Sequence, residues 1–207
     1  MTTSRTLTIL SVSLIALLCS SCDDSKTPLS DPQQSKPDAG LVGTWRFREK
    51  SGQVLYYHIG RIPGKLPQSV MRLIGINFSK ENNLESPAEM LLFPTQIGDR
   101  RYLNAAGVED PEKLKAMEEK GFNPPDIGGY WLLAYRLEKD AMTVWPMDAA
   151  AKKRAIEAGK VKGQISKGES GYETVRFTDS SENLARFVAE AGDSLFVKEP
   201  MHLERIK

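Results

Sequence analysis

Short apolar runs separated by turn signals make up most of the chain beyond its N-terminal forty residues. Aromatic and aliphatic residues fill 53–59, which follows Ser51-Gly52, and 130–137, which Lys139-Asp140 separates from 142–147. Runs bounded in this way are typical of β-strands and hairpins. The predicted strands are 41–49, 53–59, 70–79, 89–93, 100–104, 130–137, 142–147, 173–178 and 201–206, with 161–166 as a further candidate.

Three helices are predicted between these strands, because each has a capping residue at its start and a glycine at its end. The predicted N-caps and closing glycines are Asp110 and Gly121, Asp148 and Gly159, and Asp179 and Gly192. The third helix has the best apolar stripe, which includes Leu184, Phe187 and Val188.

The strands do not alternate between apolar and polar residues. In 130–137 one face carries Tyr130, Leu132 and Ala134, and the other carries Trp131, Leu133, Tyr135 and Leu137. An antiparallel sheet with one face in water alternates, so two apolar faces indicate a curved sheet with helices on its outer side. We therefore expect a mainly β (α+β) domain, an antiparallel barrel or strongly curved sheet with three short helices.

The N-terminus has the three parts of an export signal. Arg5 supplies a positive charge, Leu7–Leu18 is an apolar run, and the small residues Ser20 and Ser21 follow it. A membrane-spanning helix needs about 20 apolar residues, so this run is too short to span. Residues 1–21 are predicted to be a signal peptide.

The end of this segment, Leu18-Cys19-Ser20-Ser21-Cys22, resembles the lipobox of bacterial lipoproteins. The resemblance implies that Cys22 receives a diacylglycerol group and becomes the new N-terminus. The domain would then be anchored in the bacterial cell envelope, facing the periplasm or the exterior. Asp23 and Asp24 resemble the enterobacterial signal for inner-membrane retention, but inner and outer membrane both stay open, as does cleavage without lipidation.

The residues after the anchor are polar and rich in proline. The segment 23–40 contains Pro28, Pro32 and Pro37 and one large apolar residue, Leu29. Such a composition predicts disorder, and a coil of this length spans roughly 25 Å on average. We expect 22–40 to be a flexible tether and 41–207 to be one globular domain.

Charge and cysteine content exclude several functions. The chain has 28 basic and 27 acidic residues, so it lacks the excess of basic residues that nucleic-acid binding or a polybasic membrane patch requires. Both cysteines precede the domain, which excludes a disulfide framework, a thiol nucleophile and a cysteine zinc site there.

The sequence Gly43-Thr44-Trp45 resembles the Gly-x-Trp opening of the lipocalins and related calycin barrels. In that family the tryptophan closes one end of the barrel and an arginine of the last strand packs over it. The resemblance implies these structural roles for Trp45 and Arg205 and a lipocalin-like barrel. The strand, Asp-capped helix and last strand are also similar to those of uncharacterised bacterial lipoproteins.

The sequence contains no catalytic motif. His58 and His202 lack ligand spacing, and there is no nucleophile elbow, phosphate loop or dinucleotide fingerprint. We therefore predict no catalytic residue, no metal and no cofactor. If the face of 53–59 that carries Tyr56 and His58 lined a barrel, these residues and Arg72 would be polar groups in an apolar pocket, which is how ligand sites are built.

Three functions remain. The first is a non-enzymatic envelope lipoprotein that binds a small apolar or amphipathic ligand in its barrel. The second is a filled-core structural module that binds a protein partner in the envelope. The third is an enzyme, which would require a cluster of reactive groups around His58.

Overall fold

The computed structural model of the chain describes residues 24–78, 83–84, 87–107, 110–122, 127–167, 171 and 173–207. The predicted signal peptide and Cys22 lie outside these residues. The described part contains ten strands: Gly43–Arg48 (β1), Val54–Arg61 (β2), Met71–Ile76 (β3), Ala88–Ile97 (β4), Arg100–Gly107 (β5), Trp131–Leu137 (β6), Ala141–Pro146 (β7), Gly163–Lys167 (β8), Glu173–Phe177 (β9) and Met201–Ile206 (β10). Its α-helices are Pro111–Lys120 (α1), Ala149–Glu157 (α2) and Ser181–Ala191 (α3).

Eight of these strands form a closed antiparallel barrel, which confirms the predicted mainly β fold. Strands β1 to β7 pair in sequence, and β10 lies between β7 and β1 and closes the ring. The closure pairs Trp45 with Arg205 on one side of β10, and Leu203 with Met142 on the other. A fully closed ring removes the exposed edges of an open sheet. The architecture is consistent with a lipocalin-like barrel.

The two ends of the barrel differ. A short 3-10 helix, Ala39–Leu41, precedes β1 and places Leu41, which is fully buried, against the interior side chains. We call this the capped end, and the opposite end the distal end. The antiparallel register puts Arg48, Val54, Ile76 and Trp131 at the distal end.

Alternate residues of each strand point to the interior, as the period of a β-strand requires. The interior cluster includes Trp45, Leu55, Tyr57, Ile59, Met71, Leu92, Leu103, Tyr135, Val144 and Leu203. Residues of the other face, among them Leu91, Phe93, Tyr102 and Leu132, belong to a second core outside the barrel. The two apolar faces in the sequence therefore correspond to two separate cores.

An insertion between β7 and β10 supplies a large part of the second core. It consists of α2, the β8–β9 hairpin and α3, and its buried residues include Phe177, Leu184, Phe187 and Val188. The predicted cap Asp148 accepts a hydrogen bond from Ala151 N at 2.7 Å. The cap of α3 is Ser180, which accepts from Asn183 N, and not Asp179 as predicted.

Asp179 instead joins α3 to the hairpin. Its carboxylate accepts hydrogen bonds from Ser180 N at 2.9 Å, Asn183 Nδ2 at 2.9 Å and Lys162 N at 3.1 Å. These bonds, of which the one from Asn183 has the largest effect, lower the pKa of Asp179.

The prediction that the residues after Cys22 form a disordered tether is wrong for residues 24–40, which lie against the barrel. Asp24 and Ser25 hydrogen-bond to Tyr130 O, and Phe177 N donates to Asp24 O at 2.8 Å. Leu29 is 3% exposed. The prediction failed because it counted only apolar side chains, whereas backbone hydrogen bonds and a buried ion pair hold this segment.

The ion pair joins the Asp24 carboxylate to the Lys152 ammonium on α2, and the two residues are 6% and 5% exposed. The second carboxylate oxygen of Asp24 accepts from Leu132 N at 2.9 Å. Burial raises the pKa of the Asp24 carboxyl, against the opposing effect of Lys152. Residues 24–26 thereby connect the insertion to the barrel.

Candidate ligand site

The capped end is closed by an arginine stacked on a tryptophan. The guanidinium of Arg205, which the resemblance placed over the tryptophan, lies 4.2 Å from the centroid of the Trp45 ring. Arg205 also donates to Val42 O at 2.7 Å and to Gly40 O, and Trp45 Nε1 donates to Leu41 O at 2.9 Å. The Trp45 indole and the Arg205 guanidinium are thus both hydrogen-bonded to the backbone that leads into β1.

The glycine of Gly-x-Trp has a physical reason here. Gly43 has a φ of 144°, which side-chain-bearing residues rarely adopt. A Cβ at this position would overlap with the Nη1 atom of Arg205. Gly43 therefore leaves the space in which the guanidinium lies over Trp45.

The three predicted pocket residues lie on the outer face of the barrel. His58 is exposed, and its Nδ1 lies 3.0 Å from Thr44 Oγ1. Arg72 pairs with Glu89 at 2.7 Å and with Glu118 at 2.5 Å, and Tyr56 shares the face of His58. The inner face of β2 carries Leu55, Tyr57 and Ile59 instead. The assignment of Tyr56, His58 and Arg72 to a barrel pocket is therefore wrong, because the sequence shows two apolar faces and the wrong one was taken as interior.

Toward the distal end, fully buried interior residues such as Leu55 and Met90 lie beside partly buried ones. Deeply buried residues, such as Trp45 at 0%, Ile59 at 1% and Met71 at 2% exposed, fill the capped half. Several interior residues from the middle of the barrel to its distal end are only partly buried: Phe47, Leu73, Trp131, Leu133 and Met201. These inward-facing apolar side chains therefore keep part of their surface exposed. We call these five residues the distal cup.

Among the described residues, two hydrogen-bond donors inside the barrel have no protein hydrogen-bond partner. They are the Tyr57 hydroxyl and the Trp131 indole Nε1–H, both buried at the atomic level. Strands β2 and β6 are half of the ring apart, so the two groups extend from opposite walls. Burial raises the pKa of Tyr57. A buried donor left unpaired costs about 1–3 kcal/mol, so an interior with two of them has a free-energy deficit that a hydrogen-bond acceptor would reduce.

A second concave region lies outside the barrel, between the N-terminal segment and the capped end. This cleft has a volume of about 780 Å³ and contains Asp38, Arg101 and Tyr135. The Asp38 carboxylate accepts hydrogen bonds from Arg101 at 3.1 Å, from the Tyr135 hydroxyl at 2.9 Å and from Gly40 N at 3.0 Å. Burial, followed by the bond to Asp38, raises the pKa of Tyr135. These bonds hold the N-terminal segment to the barrel through Asp38.

Comparison of the chain with protein families, with curated proteins and with solved structures gives no significant match in any of the three. Among the described residues, no helix is long and apolar enough to cross a membrane. The same part of the chain contains no group of three or more potential metal ligands among its His, Cys, Asp and Glu side chains. The class that the structure defines is a closed eight-stranded antiparallel barrel with a helical insertion.

Tyr57 and Trp131 were not predicted from the sequence as site residues. A signal for them exists, because cross-strand neighbours share a face. Trp45 was expected inside, and Tyr57 is its partner on β2. Counting from a hairpin of β1 and β2 in this register places Tyr57 inside and Tyr56 and His58 outside.

Proposed function

We propose that the protein is a non-enzymatic lipoprotein of the bacterial cell envelope that binds a small amphipathic ligand in the distal half of its barrel. The observation that carries this proposal is the pair of unpaired donors, Tyr57 and Trp131, inside an apolar enclosure. Ligand sites combine apolar walls with a few convergent polar groups. In this proposal the distal cup supplies the walls, Trp131 supplies a donor at the distal end, and Tyr57, which pairs with Trp45, supplies a donor deeper in the barrel.

The chemistry of these groups specifies the ligand class. Both donors are neutral, and an indole N–H can only donate, so the ligand must present an acceptor oxygen. The walls are the apolar side chains Phe47, Leu73, Leu133 and Met201. An acyl chain or similar body with a carbonyl, ester or carboxylate oxygen fits this combination.

The anchor is the second part of the proposal. Cys22 would carry the lipid and hold the domain at the membrane, facing the periplasm or the exterior. Buried methylenes contribute about 0.8 kcal/mol each, so two or more acyl chains anchor stably. The lipobox-like sequence before Cys22 supports this part of the proposal.

A filled-core module that binds an envelope protein is the second candidate. The observation that favours it is the solid capped half, where Trp45, Ile59 and Met71 are each at most 2% exposed. An eight-stranded barrel is just wide enough for its own side chains to fill. On this alternative, the distal cup would bind nothing and the two donors would remain unpaired.

A displacement titration separates the two candidates. The protein is titrated with the neutral fluorophore N-phenyl-1-naphthylamine, which is then displaced with lauric acid. We expect saturable binding and displacement, with lauric-acid affinity about fivefold weaker in Tyr57→Phe, because one hydrogen bond contributes about 1 kcal/mol. Tyr56→Phe, on the outer face of the same strand, is the matched control and should leave the affinity unchanged.

The empty protein provides an independent readout. Tyr57→Phe removes an unpaired buried hydroxyl, so without ligand it should be as stable as the parent protein or more stable. Absence of saturable binding, or equal lauric-acid affinity in Tyr57→Phe and Tyr56→Phe, would favour the filled-core module.

A further inference from the structure

Basic residues are concentrated in one part of a protein whose total charge is close to zero. The segment 149–167, which comprises α2, β8 and the loop between them, contains six basic residues and a single acid, Glu157. The basic residues are Lys152, Lys153, Arg154, Lys160, Lys162 and Lys167. We call this segment the basic segment. The neutral total hides it, so composition alone does not predict it.

Most of this charge is available at the surface. Arg154, Lys160 and Lys162 are exposed, and Lys167 is exposed but lies 3.9 Å from the Glu173 carboxylate. Lys153 pairs with Glu173 at 2.6 Å, and Lys152 is the buried partner of Asp24. The buried pair does not contribute to the surface charge, but it fixes the position of the N-terminal segment next to α2.

The chain enters the fold beside the basic segment. Phe177 at the end of β9 pairs with Gly163 of β8 on one side and hydrogen-bonds to Asp24 and Lys26 on the other. Only Asp23 separates Asp24 from Cys22. Two residues of fully extended chain span at most about 7 Å, so the chain between Asp24 and Cys22 cannot reach farther than that.

We infer that the basic segment binds the anionic headgroups of the bilayer in which Cys22 is anchored, so that the domain lies on the membrane in one orientation. This inference rests on the lipid anchor in the proposed function. A 7 Å connection excludes a domain that swings freely at a distance from the membrane. Among possible anionic partners, only the bilayer is brought to this surface by the chain itself.

The electrostatics agree with this choice. An anionic leaflet attracts basic residues within about a Debye length of its surface, which is about 8 Å at physiological ionic strength. The connection through Asp23 keeps the part of the basic segment that adjoins Asp24 close to that range. The acyl chains and the basic segment would then act as two membrane signals, with the second setting the orientation.

Two lysines allow a matched test on the lipidated, full-length protein. Lys162 lies in the basic segment, whereas Lys139 lies in the turn between β6 and β7 at the capped end, and both are exposed. The domain has no cysteine of its own, and lipidation occupies the Cys22 thiol. Lys162→Cys and Lys139→Cys can therefore each be labelled at one position with a fluorescence donor.

The labelled proteins are reconstituted in phosphatidylcholine vesicles with or without 25 mol% phosphatidylglycerol, with an acceptor on a small fraction of the headgroups. We expect at least twofold more efficient energy transfer from position 162 than from position 139 in the anionic vesicles. The difference should shrink without phosphatidylglycerol. The charge-reversal substitutions Arg154→Glu and Lys160→Glu should reduce energy transfer from position 162. The control charge reversal Lys207→Glu should leave it unchanged.

Equal transfer from the two positions, or a difference that is independent of anionic lipid, would overturn the orientation. The mass of the N-terminal peptide reports the anchor separately. A Cys22 peptide without the diacylglyceryl mass would overturn the anchor and this inference with it. The titration with lauric acid tests the ligand site independently of both.

Discussion

The buried pair of Asp24 and Lys152 provides a sharp test of the N-terminal segment. Replacing Asp24 with alanine leaves the Lys152 ammonium, which is 5% exposed, without its counter-ion. It also leaves Leu132 N–H without the acceptor 2.9 Å away. Both groups are in a core where water does not replace the lost partner.

The expected loss is large. Removing one partner of a buried ion pair costs about 3–5 kcal/mol, and the loss of the acceptor for Leu132 N–H is part of the same change. For a domain of this size, 1 kcal/mol changes the melting temperature by about 2–4 °C. We therefore expect Asp24→Ala to lower it by roughly 6–20 °C.

Replacing both partners should recover most of this loss. In the double variant Asp24→Asn, Lys152→Met, the asparagine oxygen can still accept from Leu132 N–H and no charge remains buried. Apolar or neutral replacement of a buried ion pair is often close to neutral. A large coupling free energy between the two substitutions is the expected signature of the ion pair.

Thermal unfolding followed by circular dichroism and urea titration measures both effects. The control is Asp31→Ala, an exposed position in the same segment, which should change stability by less than about 0.5 kcal/mol. If Asp24→Ala matches Asp31→Ala, residues 24–40 are a flexible tether, and the packed arrangement described here is refuted.

Three further predictions follow from individual residues. Leu29→Ala should reduce the free energy of unfolding by about 2–5 kcal/mol in urea titrations, because this side chain is 3% exposed. A change below 0.5 kcal/mol would contradict its packing. Gly43→Ala should cost about 1–3 kcal/mol, because the residue has a positive φ and its new methyl group displaces Arg205, and near-ultraviolet circular dichroism should report the altered tryptophan environment. Asp179 has a pKa lowered by its hydrogen bonds, so its stabilising contribution is complete above the unfolded pKa of about 3.9 and is lost as the pH falls through the folded value. In Asp179→Asn, stability should therefore decline less steeply below about pH 4. An unchanged pH dependence in this range would contradict the stabilising role of the Asp179 carboxylate.

Local rules predicted the elements of this fold well. Turn signals placed the strands of the barrel, and Asp110 and Asp148 cap their helices as expected. The error at α3 is a choice between adjacent capping residues, Asp179 and Ser180. Such rules succeed because capping and turn formation depend on a few neighbouring residues.

Long-range contacts were beyond the same reasoning. Leu29 is bound through its backbone to the Asn104 side chain at 2.7 Å, and Asp24 is paired with Lys152 across most of the chain. Neither partner is recognisable from the polar composition of the segment. A single sequence also gave no means to choose between two apolar faces of β2, so Tyr57 was overlooked.

The candidate site likewise combines features that local sequence predicts with features that it does not. Trp45 and Arg205 were placed from a short motif and a terminal strand, whereas the distal cup depends on which side chains leave space in a closed ring. Interior volume is set by strand number and tilt, and these are properties of the assembled barrel.

Native mass spectrometry of the full-length protein, purified from bacterial membranes and released from detergent in the gas phase, tests the central claim most directly. We expect the mass of the lipidated chain plus one small molecule, which is lost on unfolding and is retained less well by Tyr57→Phe than by Tyr56→Phe. A bare lipidated chain from every preparation, with the same result for both variants, would contradict a ligand in the barrel.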